Sequence, residues 1–410
     1  MTIHRRSFLA GATAAGVLSA STLRAQAATI KIAVILPLSG SQALVGEPIM
    51  VGAQIARDTI NAQGGILGKQ VEFVPLDDKA ESARAVAAFN EATGNGLNLL
   101  LGPTFTTTIT AVLPLLQNAK AVLIGPTSPD ERLRHQLFNR NYFGTFEPDF
   151  VRANAYAKVM AERFPNVTNW TGVILDLASG HNNWSAAKKA LTTQYEKVAK
   201  KKIEITEALF TPLGSTNFKQ QISQLAASPA EGALIIQSGA DGSTFYQQAL
   251  TFGLERKMKV FIDGAIDINV GNALKNKVPT NIWICSPWNY VAAKNQVSKD
   301  LAAEYIKRTG KLPHAYAALG HAGMLFYASA IKAAGSTDTE KVIAALENVH
   351  LETAKGPGYF RKEDHQLLAE TYMFTLKPKD QDPGFEVNET VTVNMADIIY
   401  PPAPGTEWVD

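Results

Sequence analysis

The sequence predicts an α/β protein: two doubly wound parallel-sheet lobes joined by three hinge crossings. Three observations carry this. Short apolar runs alternate with amphipathic segments from Ile30 onward. The alternation restarts after NYFGTFEPDF, residues 141–150. No Gly/Ser tether separates the two halves, so short strand-like crossings must join them.

The first run, TIKIAVILPLSG, alternates, turns apolar and breaks at Pro37 and Gly40. It predicts a buried parallel strand over about Ile30 to Leu36. In EPIMVGAQIARDTINAQGG, Ile49, Ala53, Ala56 and Ile60 recur at helical spacing. Pro48 suits a first turn and Gly64-Gly65 a stop. VEFVPLDD, LNLLLGP and AVLIGPTSP read as the next strands, and ESARAVAAFNEAT as a helix between the first two of them. The second half repeats the theme. A helix is predicted from Phe150 to Arg163, strands at TGVILDL, IEITEAL, GALIIQSG, MKVFIDG and NIWICSP, and helices at WSAAKKALTTQYEKVA and FKQQISQLA. Long helices follow, over Lys299 to Arg308 and Ala317 to Ala334, before strand-like TYMFTLKP and ETVTVNM. Crossings are expected near 144–148, 286–290 and 354–359. One lobe is then 28–146 plus 289–355, the other 147–288 plus 356–410.

Residues 1–27 read differently. Arg5-Arg6, a weakly apolar run from Phe8 to Leu23, and AQA before residue 28 make an export signal. The twin arginine followed by Ser7-Phe8-Leu9 points to Tat export. His4 stands where Ser or Thr is usual, so Sec is the alternative. Cleavage after Ala27 leaves a periplasmic protein. It also removes three arginines and no acid, turning +2 into 36 basic against 37 acidic groups, a net of −1. Nucleic-acid binding gains no support from that balance. The one cysteine, Cys285, excludes an intramolecular disulfide.

Catalytic and cofactor patterns fail where they are sought. QGGILGKQ departs from a phosphate loop at Gln63 and again at Gln70. SAAK, Ser185 to Lys188, sits inside a predicted helix without companion motifs. No metal, cofactor or catalytic residue is expected, and so no enzyme. The strand ends are more informative, because open α/β sheets bind ligands beyond them. After LLLGP, five of the seven residues from Thr104 to Thr110 are threonine. A helix starting at Thr106 would bury Ile109, Val112, Leu113 and Leu116. Its first turn would present Thr106, Thr107 and Thr108, whose hydroxyls beside free N–H groups suit a carboxylate. Pro114 should disturb that helix. Gly125, Pro126, Thr127 and Ser128 repeat a polar turn on the next strand.

These stretches resemble the periplasmic leucine/isoleucine/valine-binding proteins, the receptors of ABC importers. The residues that carry the resemblance are IKIAVILPLSG, GAQIARDTINAQGGILGKQVEFVPLDD, LLLGPTFTTTI and AVLIGPTSP. It implies a type I periplasmic-binding fold whose cleft closes on a small solute by hinge motion. It also implies site residues. Thr106 matches the hydroxyl that holds the ligand carboxylate, and Thr127 a second hydroxyl contact, with Gly125 offering backbone groups. Trp184 falls where the family has a tyrosine, as an aromatic lid. The family's ammonium-binding acid is replaced by Ala265, which leaves Asp263, Asp267 or Asp241 for that role. Phe105 stands where some relatives have a cysteine and can line the pocket. Two solute classes follow: an amino acid, branched-chain or other, or an aromatic acid or amide lacking an ammonium. The expected partners are that solute and an inner-membrane permease, with the chain itself a monomer. A ligand-presenting sensor is the less favoured alternative.

Overall fold

The computed structural model describes residues 29–40, 42–237, 239–264 and 269–409. The expected export segment and Asp267 lie outside them.

An apolar strand buried on both faces needs cover on both sides. Ile30–Leu36 has six of its seven residues buried. It pairs in parallel with Val71–Asp77 on one side and Leu99–Leu101 on the other. Val122–Gly125 and Tyr142–Gly144 extend the sheet to five strands, all parallel. One face is covered by Ala85 and Phe89 of helix Ser82–Gly94 and by Ile109 and Val112 of helix Thr106–Val112. Helices Ala43–Ala62 and Tyr316–Ala334 supply the opposite core. Those two cross backbone to backbone. A Cβ on Gly52 would stand 1.9 Å from the Ala317 carbonyl oxygen, and one on Gly320 2.1 Å from that of Ile49. Late chain thus returns to the first lobe.

The second sheet is parallel through Ile282–Ser286, Val260–Asp263, Gly232–Ile236 and Asn169–Leu175, with short Glu204–Ile205 and Leu209–Thr211 beside the last. It is not parallel throughout. Glu370–Pro378 runs antiparallel to Ile282–Ser286, and Phe385–Asn394 antiparallel to Glu370–Pro378. A short connection after Pro378 leaves no room for the helical crossover that parallel pairing needs. Helices Asp149–Arg163 and Ala178–Gln194 cover one face of this sheet around Trp170, Trp184 and Tyr195.

Between the sheets the chain is tightly held. The third passage is more than the strand-like crossing expected at 354–359. His350–Thr353, Gly356–Phe360 and Leu367–Leu368 form a small antiparallel sheet. Phe360 and Leu367 join the first core, while Leu368 joins the second. A division at residue 355 therefore cuts through this sheet. Glu147, in the first passage, meets Lys355 at 2.6 Å with both side chains fully buried. Arg134 donates through Nε to Gln366 at 2.7 Å and also reaches the Ser128, Asp130 and Phe146 carbonyls. Gln366 donates to Phe146 and Leu367 carbonyls.

A buried pair broken on one side leaves an uncompensated charge, a cost of roughly 3–5 kcal/mol. Lys355→Met is expected to lose about that much in urea unfolding, and Glu147→Leu with Lys355→Met to recover most of it. Equal losses in the single and double variants would contradict this.

Candidate functional site

The threonine turn begins with a constraint. Gly102 has φ +88°, and a Cβ there would lie 1.9 Å from the Ile35 carbonyl oxygen, so only glycine turns the chain here. The helix then starts at Thr106, with Phe105 half-buried at its N-cap. Ile109, Val112, Leu113 and Leu116 are all buried. The α-helix stops at Val112 and tightens into a 3₁₀ turn around Pro114. The five hydroxyls divide by role. Thr108 and Thr110 donate back to the carbonyls of Phe105 and Thr107. Thr104 is fully buried. Thr106 Oγ1 lies 2.8 Å from Ser128 Oγ. Two hydroxyls bring two protons to one such bond, so the second proton is left to donate elsewhere. Thr107 is exposed beside it.

Thr106 and Thr107 line a cavity of about 440 Å³. Its other walls come from the Pro129–Arg132 turn, from Asp149 and Phe150, from Ser179 and Asn182, and from Trp408. The first sheet thus supplies one side, and helices on the second sheet supply the opposite side. Glu131 joins the two: its Oε1 accepts the Phe150 N–H at 2.6 Å, at the start of helix Asp149–Arg163. The Pro129 carbonyl accepts the Asp149 N–H at 2.9 Å. Free N–H groups at a helix start are thereby satisfied from across the cavity.

The carboxyls here are strained electrostatically. Burial pushes Asp149 up to about 7, the Asp130 charge adds to this, and Arg152 opposes it. Arg152 comes no closer than 3.8 Å. Glu131 is held well above the ordinary carboxylate range, chiefly by burial and then by Asp149. Buried carboxyls in that state favour a proton or a bound cation.

Several expected residues are used otherwise. Thr127 is buried, and its hydroxyl donates to the Thr104 carbonyl, tying the two polar turns together. Ser128 is buried and reaches the cavity only through Thr106. Gly125 makes room for the Tyr142 ring, whose nearest atom would stand 2.6 Å from a Cβ there. Its carbonyl accepts the Thr145 N–H. Trp184, expected as an aromatic lid, does not line this cavity. It lies in the second core, with its indole N–H donating to Glu207 at 2.7 Å. Asp241 is buried and accepts the Gly214 N–H at 2.7 Å. Asp263 is buried at a strand end, where it adds to the burial that raises the Tyr246 phenol. Neither aspartate lines the cavity.

Sequence reasoning passed over Glu131, Asp149 and Trp408. PDER and EPDF each set an acid near a proline, and EPDF also adjoins the crossing expected at 144–148, which was the available signal. Ser179 and Asn182 lie in ASGHNNW, which begins helix Ala178–Gln194. A larger groove, about 790 Å³, runs along helices Ala43–Ala62 and Gln296–Thr309 and includes His321. Part of its charge is paired: Arg308 bonds Asp58 at 2.8 Å and Glu304 at 2.9 Å. The smaller cavity sets Thr106 and Thr107 opposite Glu131 and Asp149.

Two α/β layers that share a polar cavity, joined by three passages of chain, define a two-lobed solute-binding architecture. The chain belongs to the periplasmic binding protein family, which matches residues 29–382. It is similar to Leu/Ile/Val-binding protein homolog 3 of Brucella melitensis, 27% identical over 80% of this chain and 86% of that one. It is 32% identical to Leu/Ile/Val-binding protein BraC3 of Rhizobium johnstonii, over 33% of this chain and only 37% of that relative's length. Among solved structures, the amino acid ABC transporter substrate-binding protein of Pseudomonas fluorescens Pf-5 superposes with TM-score 0.79 and 18% identity, covering 91% of this chain and 98% of its own. A solute-binding protein of an ABC transporter from Rhodopseudomonas palustris BisB5, in complex with 3,4-dihydroxy benzoic acid, gives TM-score 0.74 and 20% identity over 90% and 98%. Among the described residues, no helix is long and apolar enough to cross a membrane.

Asp149 gives the site a pH signature. A carboxyl raised from 3.8 to about 7 holds its proton more tightly when folded. Its contribution to stability is full below the ordinary value and is lost as pH rises through about 7. Asp149→Asn, neutral throughout, should therefore gain on the wild type between about pH 5 and about pH 8.5, by several degrees in Tm. A melting difference that stays constant across that range would contradict the assignment.

Proposed function

We propose that this chain is the extracytoplasmic solute-binding protein of an ABC importer, and that it holds an amino acid, branched-chain or other, in the cavity between Thr106 and Asp149. The observation that carries the reading is the pairing within one cavity of the Thr106 hydroxyl with the buried Glu131 carboxyl and the largely buried Asp149 carboxyl. Thr106 donates to the solute carboxylate. The solute ammonium relieves the repulsion between Asp149 and Glu131, a role the sequence offered to Asp241, Asp263 or Asp267. Charge-assisted hydrogen bonds at both ends fix the solute's orientation. Its middle and side chain face Phe150 and Trp408.

Solute contacts from both sides favour the closed arrangement of the lobes by their differential affinity. The closed monomer then presents the solute to an inner-membrane permease, without chemical turnover. The Leu/Ile/Val-binding names of the relatives support this role, and the export signal expected at residues 1–27 agrees with it. A second reading keeps the role but replaces the amino acid with an aromatic acid. The aromatic pair Phe150 and Trp408, and the related fold that holds 3,4-dihydroxy benzoic acid, favour it.

A thermal-shift screen of amino acids, aromatic acids and amides separates these readings. Amino acids are expected to raise Tm, as any ligand of the native state does, and more at about pH 8 than at about pH 5, where Asp149 is protonated. Aromatic acids that shift Tm while amino acids do not would select the second reading. Thr106→Val removes a hydrogen bond to a charged group and should weaken the best solute by roughly 10- to 100-fold in calorimetry. An unchanged affinity would remove Thr106 from the site.

A further inference from the structure

We infer that Trp408, carried by the C-terminal tail, is a solute-contacting residue that sets which side chains the cavity accepts; this rests on the cavity being the solute site. Terminal residues of a chain ordinarily fray unless something ties them down. Here the tail is tied at separate points. Arg361 donates to the Tyr400 carbonyl at 2.7 Å, and Gly405 N–H to the His135 carbonyl at 2.8 Å. Trp408 N–H donates to Gln136 Oε1 at 3.0 Å. Both His135 and Gln136 follow the short 3₁₀ turn Glu131–Arg134 on the first-sheet side.

The indole then leans across. Its ring centroid lies 4.9 Å from those of His135 and Tyr400, and it meets Phe150 at 5.6 Å in an edge-to-face contact. Phe150 belongs to helix Asp149–Arg163 on the second sheet. Lys189 caps both rings, 5.5 Å from Phe150 and 5.9 Å from Trp408. The tail therefore brings one aromatic ring to the junction of the lobes, where it lines the same cavity as Thr106 and Asp149. Trp184, buried in the second core, leaves that wall without the aromatic residue the sequence offered. Trp408 occupies the wall with a large apolar face that is already oriented.

The chemistry this selects is a solute with a polar, zwitterionic head and an apolar side chain long enough to reach the indole. A rigid aromatic wall held by its neighbours contributes contact without ordering cost on binding. Small solutes leave the wall untouched. Large aliphatic or aromatic side chains gain from it.

The chain carries five tryptophans. Trp170, Trp184, Trp283 and Trp288 are buried, whereas Trp408 is only half-buried, so a solute at this wall changes chiefly Trp408 emission. Calorimetry on the full chain with L-alanine, L-leucine, L-phenylalanine and benzoate, for wild type, Trp408→Ala and Trp408→Phe, tests the inference. For whichever of the last three binds, Trp408→Ala is expected to lose on the order of tenfold in affinity and Trp408→Phe much less, with L-alanine little affected. The solute-induced change in tryptophan emission should vanish in Trp408→Phe while binding persists. Unchanged affinity in Trp408→Ala, with an unchanged emission response in Trp408→Phe, overturns the inference and leaves the proposed function standing. Failure of all four compounds to bind wild type overturns the solute reading and this inference together.

Discussion

A lysine and a glutamate without solvent contact hold the junction of the lobes. Lys355 stands between two strands of the small third sheet, and Glu147 in the passage leading to helix Asp149–Arg163. Withdrawing both charges from water is costly, and their mutual contact offsets it. The pair therefore tolerates little variation in how the first and third passages lie together. Arg134 and Gln366 extend the same constraint to the turn after strand Val122–Gly125, through carbonyls on both sides. Two acids of the cavity lie close to these passages in the chain. Asp149 is two residues beyond Glu147, and Glu131 lies three before Arg134 in the chain.

Placement of the site follows from backbone accounting. Every helix start leaves N–H groups to satisfy. At Asp149–Arg163 the Pro129 carbonyl and the Glu131 carboxylate do so from the facing layer. That contact buries acids which would otherwise be solvated, and burial lifts both above the ordinary carboxylate range. On the facing side, the Thr106 and Ser128 hydroxyls share one bond and keep one proton to give. A donor site and an acidic site thus arise in one cavity from ordinary requirements of helix and strand ends.

Much of the fold was legible because fully buried strands announce themselves as apolar runs. Ile30–Leu36 falls where the pattern put it, and Thr106 begins its helix where the threonine run suggested. The small third sheet was not legible: its strands have four, five and two residues, and the middle one is GPGYF. Antiparallel pairing of Glu370–Pro378 depends on which neighbour the chain reaches, which local pattern does not encode. Within the site, hydroxyl chemistry was visible, but the partner of each hydroxyl was not. Thr127 and Thr106 look alike in sequence, yet one is turned to the Thr104 carbonyl and the other to the cavity. Trp184 reads in sequence as a helix start, but it lies inside helix Ala178–Gln194 with its ring packed in the second core. Acids beside prolines read as turn residues, since burial is a tertiary property. Trp408 belongs to a Pro- and Gly-rich tail with no periodicity to read.

The central claim is that one solute sits between the two sheets, with its head held between Thr106 and Asp149. The most direct test is a crystal structure of the full chain grown with the amino acid that stabilises it most. The solute carboxylate should lie within hydrogen-bond reach of Thr106 Oγ1 and its ammonium beside the Asp149 carboxylate. Solute density in the groove along Asp58, Arg308 and His321 instead, with the cleft empty of it, would contradict the account.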